Sequence, residues 1–205
     1  MALSKLDAVN IMLEAVGESP VSSLSSGLPE AEAAERFLDR LSQEIQEQGW
    51  SFNTDSDYEM SVDSDGFIKL NADILRIDTT GRDKWRAVSV RIDTNDNDQR
   101  KLYNNDENTY NWEDLGVSSV FVDVVNFLDF DNLPFTAANY IAYEAAVNYQ
   151  TSTLGSRALD GLLKERWSQA LTRFQDSEAD QEDTNMLTAS PYMRMITRRV
   201  NDLSN

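Results

Sequence analysis

The fold turns on the stretch W-S-F-N-T-D-S-D-Y-E-M-S-V (Trp50 to Val62), where the hydrophobic period changes. Before it, apolar residues step by three and four. Within it they come in short pieces, Trp50 with Phe52, then Tyr58, Met60 and Val62, set between Asp and Asn clusters. That change from helical to strand spacing marks a β segment following a helical one. Further short pieces continue it: Phe67, then Ile74, Leu75 and Ile77, then Ala87, Val88, Val90 and Ile92. Leu102 and Tyr103 read as a hairpin arm paired with Tyr110 and Trp112 across an Asn-rich turn, and Val120 to Phe127 as the last strand. No helical crossover of the length a parallel sheet needs lies between them, so the pairing is expected to be antiparallel.

Helices flank this segment. Ser4 stands three residues before Asp7 in a capping-box pattern, and Leu6, Val9, Met12, Leu13 and Val16 follow at helical spacing up to Gly17. After a Ser-rich loop, Pro29 and the acids Glu30, Glu32 and Glu35 suit a helix start. Ala34, Phe37, Leu38, Leu41 and Ile45 form its apolar stripe, with Gly49 as the stop. Pro134 opens a third, largely apolar helix ending before Gly155. A fourth runs from Ser156 with Leu159, Leu162, Leu163, Trp167, Ala170, Leu171 and Phe174 on one stripe. Asp176, Glu178, Asp180, Glu182 and Asp183 crowd its far end, where negative charge opposes the helix dipole, so order is expected to end near Gln175.

The expected fold class is therefore α+β, mainly α: a bundle of about four helices with an inserted antiparallel β domain. Residues 1–49 form a helical hairpin, 50–133 the β insert, 134–184 the third and fourth helices, and 185–205 a basic C-terminal tail. In that tail Tyr192, Met193, Arg194, Met195, Arg198 and Arg199 interleave apolar and cationic side chains, the pattern of a partner-binding segment.

Composition narrows the chemistry. The chain has 205 residues, 36 acidic and 18 basic, a formal charge of −18, and neither His nor Cys. Without them there is no Ser-His-Asp or Cys-His arrangement, disulfide, iron–sulfur cluster or cysteine zinc site. The overall charge opposes generic phosphate binding. No apolar run is long enough to span a bilayer, and the N-terminus lacks the order of a signal peptide, so a soluble, non-exported protein without membrane contact is expected.

Individual motifs fail in turn. Gly17-Glu18-Ser19-Pro20-Val21 lacks the last glycine of an esterase elbow, and no glycine-rich run precedes a Lys-Ser or Lys-Thr pair. Asp93, Asn95 and Asn97 match three EF-hand positions, but Asp98 replaces the required glycine and Asn104 the bidentate Glu. Asp63 and Asp65 before Gly66 make a weaker match; both read as strand-connecting turns. Trp50, Trp85, Trp112 and Trp167 are read as core residues before sugar-stacking ones. The residues thus give no catalytic centre, cofactor site or metal site.

A resemblance extends the reading. L-D-A-V-N-I-M-L-E-A-V-G-E-S-P-V-S-S-L (Leu6 to Leu24) and the closing Q-x-x-G-W-x-F-N (Gln46 to Asn53) resemble the tail tubular protein A family of T7-like short-tailed phages. L-N-A-D-I-L-R-I-D (Leu70 to Asp78), F-L-D-F-D-N-L-P (Phe127 to Pro134) and N-M-L (Asn185 to Leu187) continue it, while residues 81–116 match least. The resemblance implies a structural virion protein of the phage tail, assembled in the host cytoplasm, and not an enzyme. It implies a dodecameric adaptor ring joining the portal protein to the tail nozzle, tail tubular protein B, and gating the double-stranded DNA that passes through without specific binding. It also implies a docking surface for tail fibres and no cofactor. In that setting the tail beyond Thr184 is expected to reach the portal, and repulsion between acidic subunits leaves a monomer or labile ring until the portal acts as template. The competing readings are a carbohydrate hydrolase using paired carboxylates and a regulatory module that binds a basic host protein.

Overall fold

The structure, a computed structural model, describes residues 3–80, 83, 85–94, 96, 98–154 and 160–189. Among them are four α-helices, α1 (Lys5–Ala15), α2 (Pro29–Gln46), α3 (Phe135–Leu154) and α4 (Asp160–Ala189), and five strands. The strands are β1 (Thr54–Ser61), β2 (Ile74–Thr79), β3 (Val88–Asp93), β4 (Gln99–Asn104) and β5 (Ser119–Asn126), so the class is mixed α+β. The chain divides into two compact units, Met1–Leu41 with Leu133–Asn205, and Ser42–Asn132; the first division falls inside α2.

In the first unit, α1 begins as its sequence directs. Asp7 N donates to Ser4 Oγ at 3.1 Å and Ser4 N to Asp7 Oδ2 at 3.3 Å, so two of the free amides at the helix start are satisfied reciprocally. Past its end the chain reverses at Gly17, whose φ of 85° is left-handed, and Asn10 then pins the returning loop: it donates to Val21 O at 3.0 Å and accepts from Val21 N at 2.8 Å. Lys5 ties α1 to α2 through Glu35 and Asp39, each 2.9 Å away.

Helix α3 packs on both α1 and α4. Its buried apolar positions are Ile141 and the alanines Ala137, Ala138, Ala142, Ala145 and Ala146, the last five small enough to let neighbouring helices approach closely. Near its end Gln150 donates to Ala15 O at 3.0 Å, satisfying a carbonyl of the last turn of α1. Tyr140 of α3 stacks on Phe174 of α4, with centroids 5.3 Å apart, and Glu144 accepts from Trp167 Nε1. Burial, then the charge and hydrogen bond of Glu144, push the Tyr140 phenol up to about 12.

Two expectations fail on α4. It does not end near Gln175 but continues to Ala189, because the buried stripe of Ala170 and Phe174 recurs one turn later at Glu178. Packing on one face offsets the unfavourable dipole. Leu162, placed on the apolar stripe by spacing, is 63% exposed, and Leu159 lies outside the described residues.

The second unit holds all five strands. β5 lies between β1 and β2 in one antiparallel sheet, and β3 pairs with β4 in another. Val120, Val122 and Val124 of β5 point into a core with Met60, Ile68, Leu70, Ile74, Leu102 and Trp112. Each such fully buried aliphatic contributes about 2 kcal/mol.

The expected hairpin partner of Leu102 and Tyr103 is wrong. β4 pairs with β3, Val90 opposite Leu102 and Ser89 opposite Tyr103. Beyond β4, Asn104 Oδ1 accepts from the backbone of Asp106 and Glu107, so the Asn-rich turn closes on a side chain and leaves a single bridge, Asn104 with Thr109. The chain then carries Trp112 into the core, where its indole donates to Leu102 O at 3.0 Å, while Tyr110 meets Tyr103 edge-on at 4.8 Å. The residues meet as side chains, not as strands. Trp50 and Phe52 likewise sit in a turn before β1 and not in a strand.

Candidate functional site

The most tightly built cluster of the second unit falls on Q-x-x-G-W-x-F-N. The Gln46 side chain makes three bonds: Nε2 donates to Ser42 Oγ and Leu128 O, both at 3.0 Å, and Oε1 accepts from Leu128 N at 2.8 Å. Asn53 completes the set. Its Nδ2 donates to Gln46 O and Asn126 O, each at 2.9 Å, while its Oδ1 accepts from Trp50 N at 2.8 Å. Trp50 Nε1 donates to Ile45 O at 2.8 Å, joining the Gln48 amide, which reaches the same carbonyl at 3.3 Å. Gly49 makes the turn at φ 81°; a Cβ there would stand 2.9 Å from Arg76 Nη2 and 3.1 Å from Val125 Cγ2. The motif is therefore a lock between the end of α2, the approach to β1 and the exit from β5. Every donor and acceptor named is occupied within the chain.

The turns that resemble calcium loops are filled by lysines. Lys101, fully buried, lies 2.9 Å from Asp93 Oδ2 and 2.7 Å from Asp96 Oδ2, with the Phe67 ring centre 3.7 Å from its ammonium. Burial works against that charge, but the hydrogen bonds it donates to Asp96 and Asp93 outweigh it and hold the Lys101 pKa above its ordinary value. Asn95 and Asn97 lie outside the described residues. In the second turn Lys69 bridges Asp63 at 2.8 Å and Asp65 at 3.1 Å. The Lys69 hydrogen bond, opposed by burial and aided by the Phe67 and Asp65 amides, holds the Asp63 carboxyl below its usual range.

Of the four tryptophans, Trp112 is fully buried, and Trp50 and Trp167 are half-buried with their indole N–H groups bonded inside the chain. Trp85 departs from the core reading, with 68% of its surface exposed. The predicted partner-binding residues Tyr192, Met193, Arg194, Met195, Arg198 and Arg199 all lie outside the described residues. No described helix is long and apolar enough to cross a membrane.

The Gln46 and Asn53 cluster serves the closure of its own unit, and the class of the protein comes from comparison with known proteins. The tail tubular protein family matches residues 6–184. Tail tubular protein A of Klebsiella phage KP34 is 31% identical over 159 residues, 78% of this chain and 75% of that protein. The chain belongs to the tail tubular protein A family, structural proteins of the phage virion tail and not an enzyme family.

Asn53→Ala removes three hydrogen bonds, to Gln46 O, Asn126 O and Trp50 N, so a loss of about 2 kcal/mol is expected in urea denaturation; a change under about 0.5 kcal/mol would contradict the lock. The Asp63 carboxyl has a lowered folded pKa, so its stabilisation is complete above its unfolded pKa of about 4 and is lost as pH falls through the lower folded value. Urea midpoints taken from pH 6 to pH 2 should therefore fall less steeply in Asp63→Asn than in the native chain, and parallel curves would refute the pairing with Lys69.

Proposed function

We propose that this chain is the adaptor of its phage tail, assembling as a dodecameric ring between the portal protein and the nozzle formed by tail tubular protein B. The family match over residues 6–184 carries this reading. In the proposed arrangement the helices act as a bundle, mainly α in character, that wedges between ring neighbours. The β insert faces nozzle and tail fibres, and the ring gates the passage of double-stranded DNA. Assembly takes place in the host cytoplasm.

Charge supports the conduit role. A net −18 spread over each subunit gives a duplex few attractive contacts, and a ring that does not grip phosphate lets DNA slide. The same charge opposes closure of free subunits and favours assembly on a template. The tail, with Arg194, Arg198 and Arg199 beside Tyr192, Met193 and Met195, supplies cations that the rest of the chain lacks in excess, and we assign it to the portal contact. Paired-carboxylate hydrolysis has no comparable support.

Electron microscopy of the purified protein, alone and mixed with its cognate portal, tests this. Twelve-fold rings on the portal are expected, and truncation after Ala189 should abolish them without changing the circular dichroism of the helices. A protein that stays monomeric and ignores the portal would overturn the adaptor reading, and undiminished binding by the truncated chain would overturn the tail's part in it.

A further inference from the structure

Strand β1 pairs with β5 on one side and has no strand beside it on the other. Val62 N donates to Ser118 O at 2.9 Å, and the antiparallel register continues unbroken from there back to Tyr58 opposite Val122. In such a ladder alternate residues turn their main chain to the partner, so Tyr58 and Met60 face β5 while Glu59 and Ser61 face away from it. The far side of β5 agrees. Phe121, opposite Glu59, accepts from Thr80 N at 3.1 Å and donates its amide to Asp83 Oδ2 at 3.0 Å, both away from β1. The amide and carbonyl of Glu59 and of Ser61 therefore lie along an open edge.

That edge is one wall of a slot of about 390 Å³, with Lys69 and Asn71 on the opposite wall. Leu102 N donates to Ile68 O at 3.0 Å and Leu70 N to Arg100 O at 2.9 Å, so the segment 67–71 spends alternate groups on β4, and Lys69 turns its own amide and carbonyl away from β4. Asp63 N donates to Phe67 O at 2.8 Å where the chain reverses between the two walls. Met60, Ile68, Ile74 and Val124 also line the slot, but they are core side chains between 2% and 8% exposed, so what it offers a ligand is polar. Asp55, Glu59 and Asp73 are exposed on it, and the Lys69 ammonium is already held by Asp63 and Asp65, which leaves the lining acidic.

We propose that an extended, cation-bearing segment of a partner protein lies in this slot and adds a strand to β1. The occupant follows from the lining. Open amides and carbonyls on both walls are met by an extended main chain, which needs no apolar side chain to fill the space. Asp55, Glu59 and Asp73 select lysine or arginine on that segment. The same acids disfavour β1 of a second copy, whose own carboxylates would be brought against them. In the tail the partner is the nozzle protein, because the proposed adaptor arrangement turns the β unit toward it; the inference rests on that reading and names one contact it requires.

Hydrogen exchange read by mass spectrometry over residues 54–62 tests this on full-length protein, first alone, then as rings on the cognate portal, then with the nozzle protein added. The Glu59 and Ser61 amides should exchange rapidly until the nozzle protein binds and slowly afterwards, while Tyr58 and Met60, bonded to β5, stay slow throughout. Glu59→Pro removes an edge amide that the β1–β5 ladder does not use, a substitution edge strands accept, and should weaken nozzle binding about 10-fold with unchanged circular dichroism. Asp73→Lys should weaken it as well, with the loss shrinking at high salt. Nozzle protein bound to native rings with Glu59 and Ser61 still exchanging rapidly, or both variants binding as tightly as the native chain, would overturn this contact and leave the adaptor reading standing. Protection already complete on the portal, before the nozzle protein is added, would give the edge to another occupant and overturn it too. Absence of rings from the native protein with portal would overturn both.

Discussion

β5 is the member on which the second unit depends. It pairs with β1 on one edge and β2 on the other, so two segments that follow each other in sequence are joined only through a strand that arrives much later. Such closure is costly in chain entropy, because the intervening loop must be ordered before the pairing contributes. Two features offset that cost. Val120, Val122 and Val124 bury one face of β5 in the apolar core, and the Gln46 and Asn53 side chains bind the backbone where β5 ends. The register shift on each side of β5, near Asp55 to Tyr58 and near Ile74 to Arg76, lets both partners follow one central strand despite their irregular lengths.

The basic residues show a related economy. Lys69 and Lys101 each close an acidic turn, Lys5 joins two helices, and Arg100 caps the carbonyls of Asn71, Ala72 and Ile74. Cations are thus consumed as internal staples while carboxylates remain in excess outside. This arrangement serves two ends at once: the turns are fixed by the chain's own ammonium groups, and the exterior stays unattractive to phosphate. Arg86 follows the same pattern, held by Asp83, and leaves the Trp85 ring turned outward.

Much of this was legible in sequence. The cap at Ser4, the stripe on α2, the antiparallel pairing and the extent of β5 follow from short-range spacing, and the structure places them where that spacing does. The meaning of Q-x-x-G-W-x-F-N was not legible, although the motif was visible, because its partners Asn126 and Leu128 lie 73 and 82 residues further on. For the same reason the Asn-rich turn suggested a hairpin: the demand that Trp112 enter the core comes from tertiary packing, and no local pattern expresses it. The length of α4 was misjudged because charge was weighed without the burial that continues through Glu178. The exposure of Trp85 depends on Asp83 reaching Phe121, a contact of residues 38 apart.

If the lock at Gln46 and Asn53 holds β5 in place, the end of that strand should be among the last parts of the unit to open. Native-state hydrogen exchange measures this directly. The Asn126 and Leu128 amides, bonded to Asn53 O and Gln46 Oε1, should exchange only through the opening that releases the Val122 and Val124 amides, with the same dependence on urea. Exchange of Asn126 and Leu128 at a much lower free energy than the middle of β5 would show that the strand end frays independently, and that the motif does not close the unit.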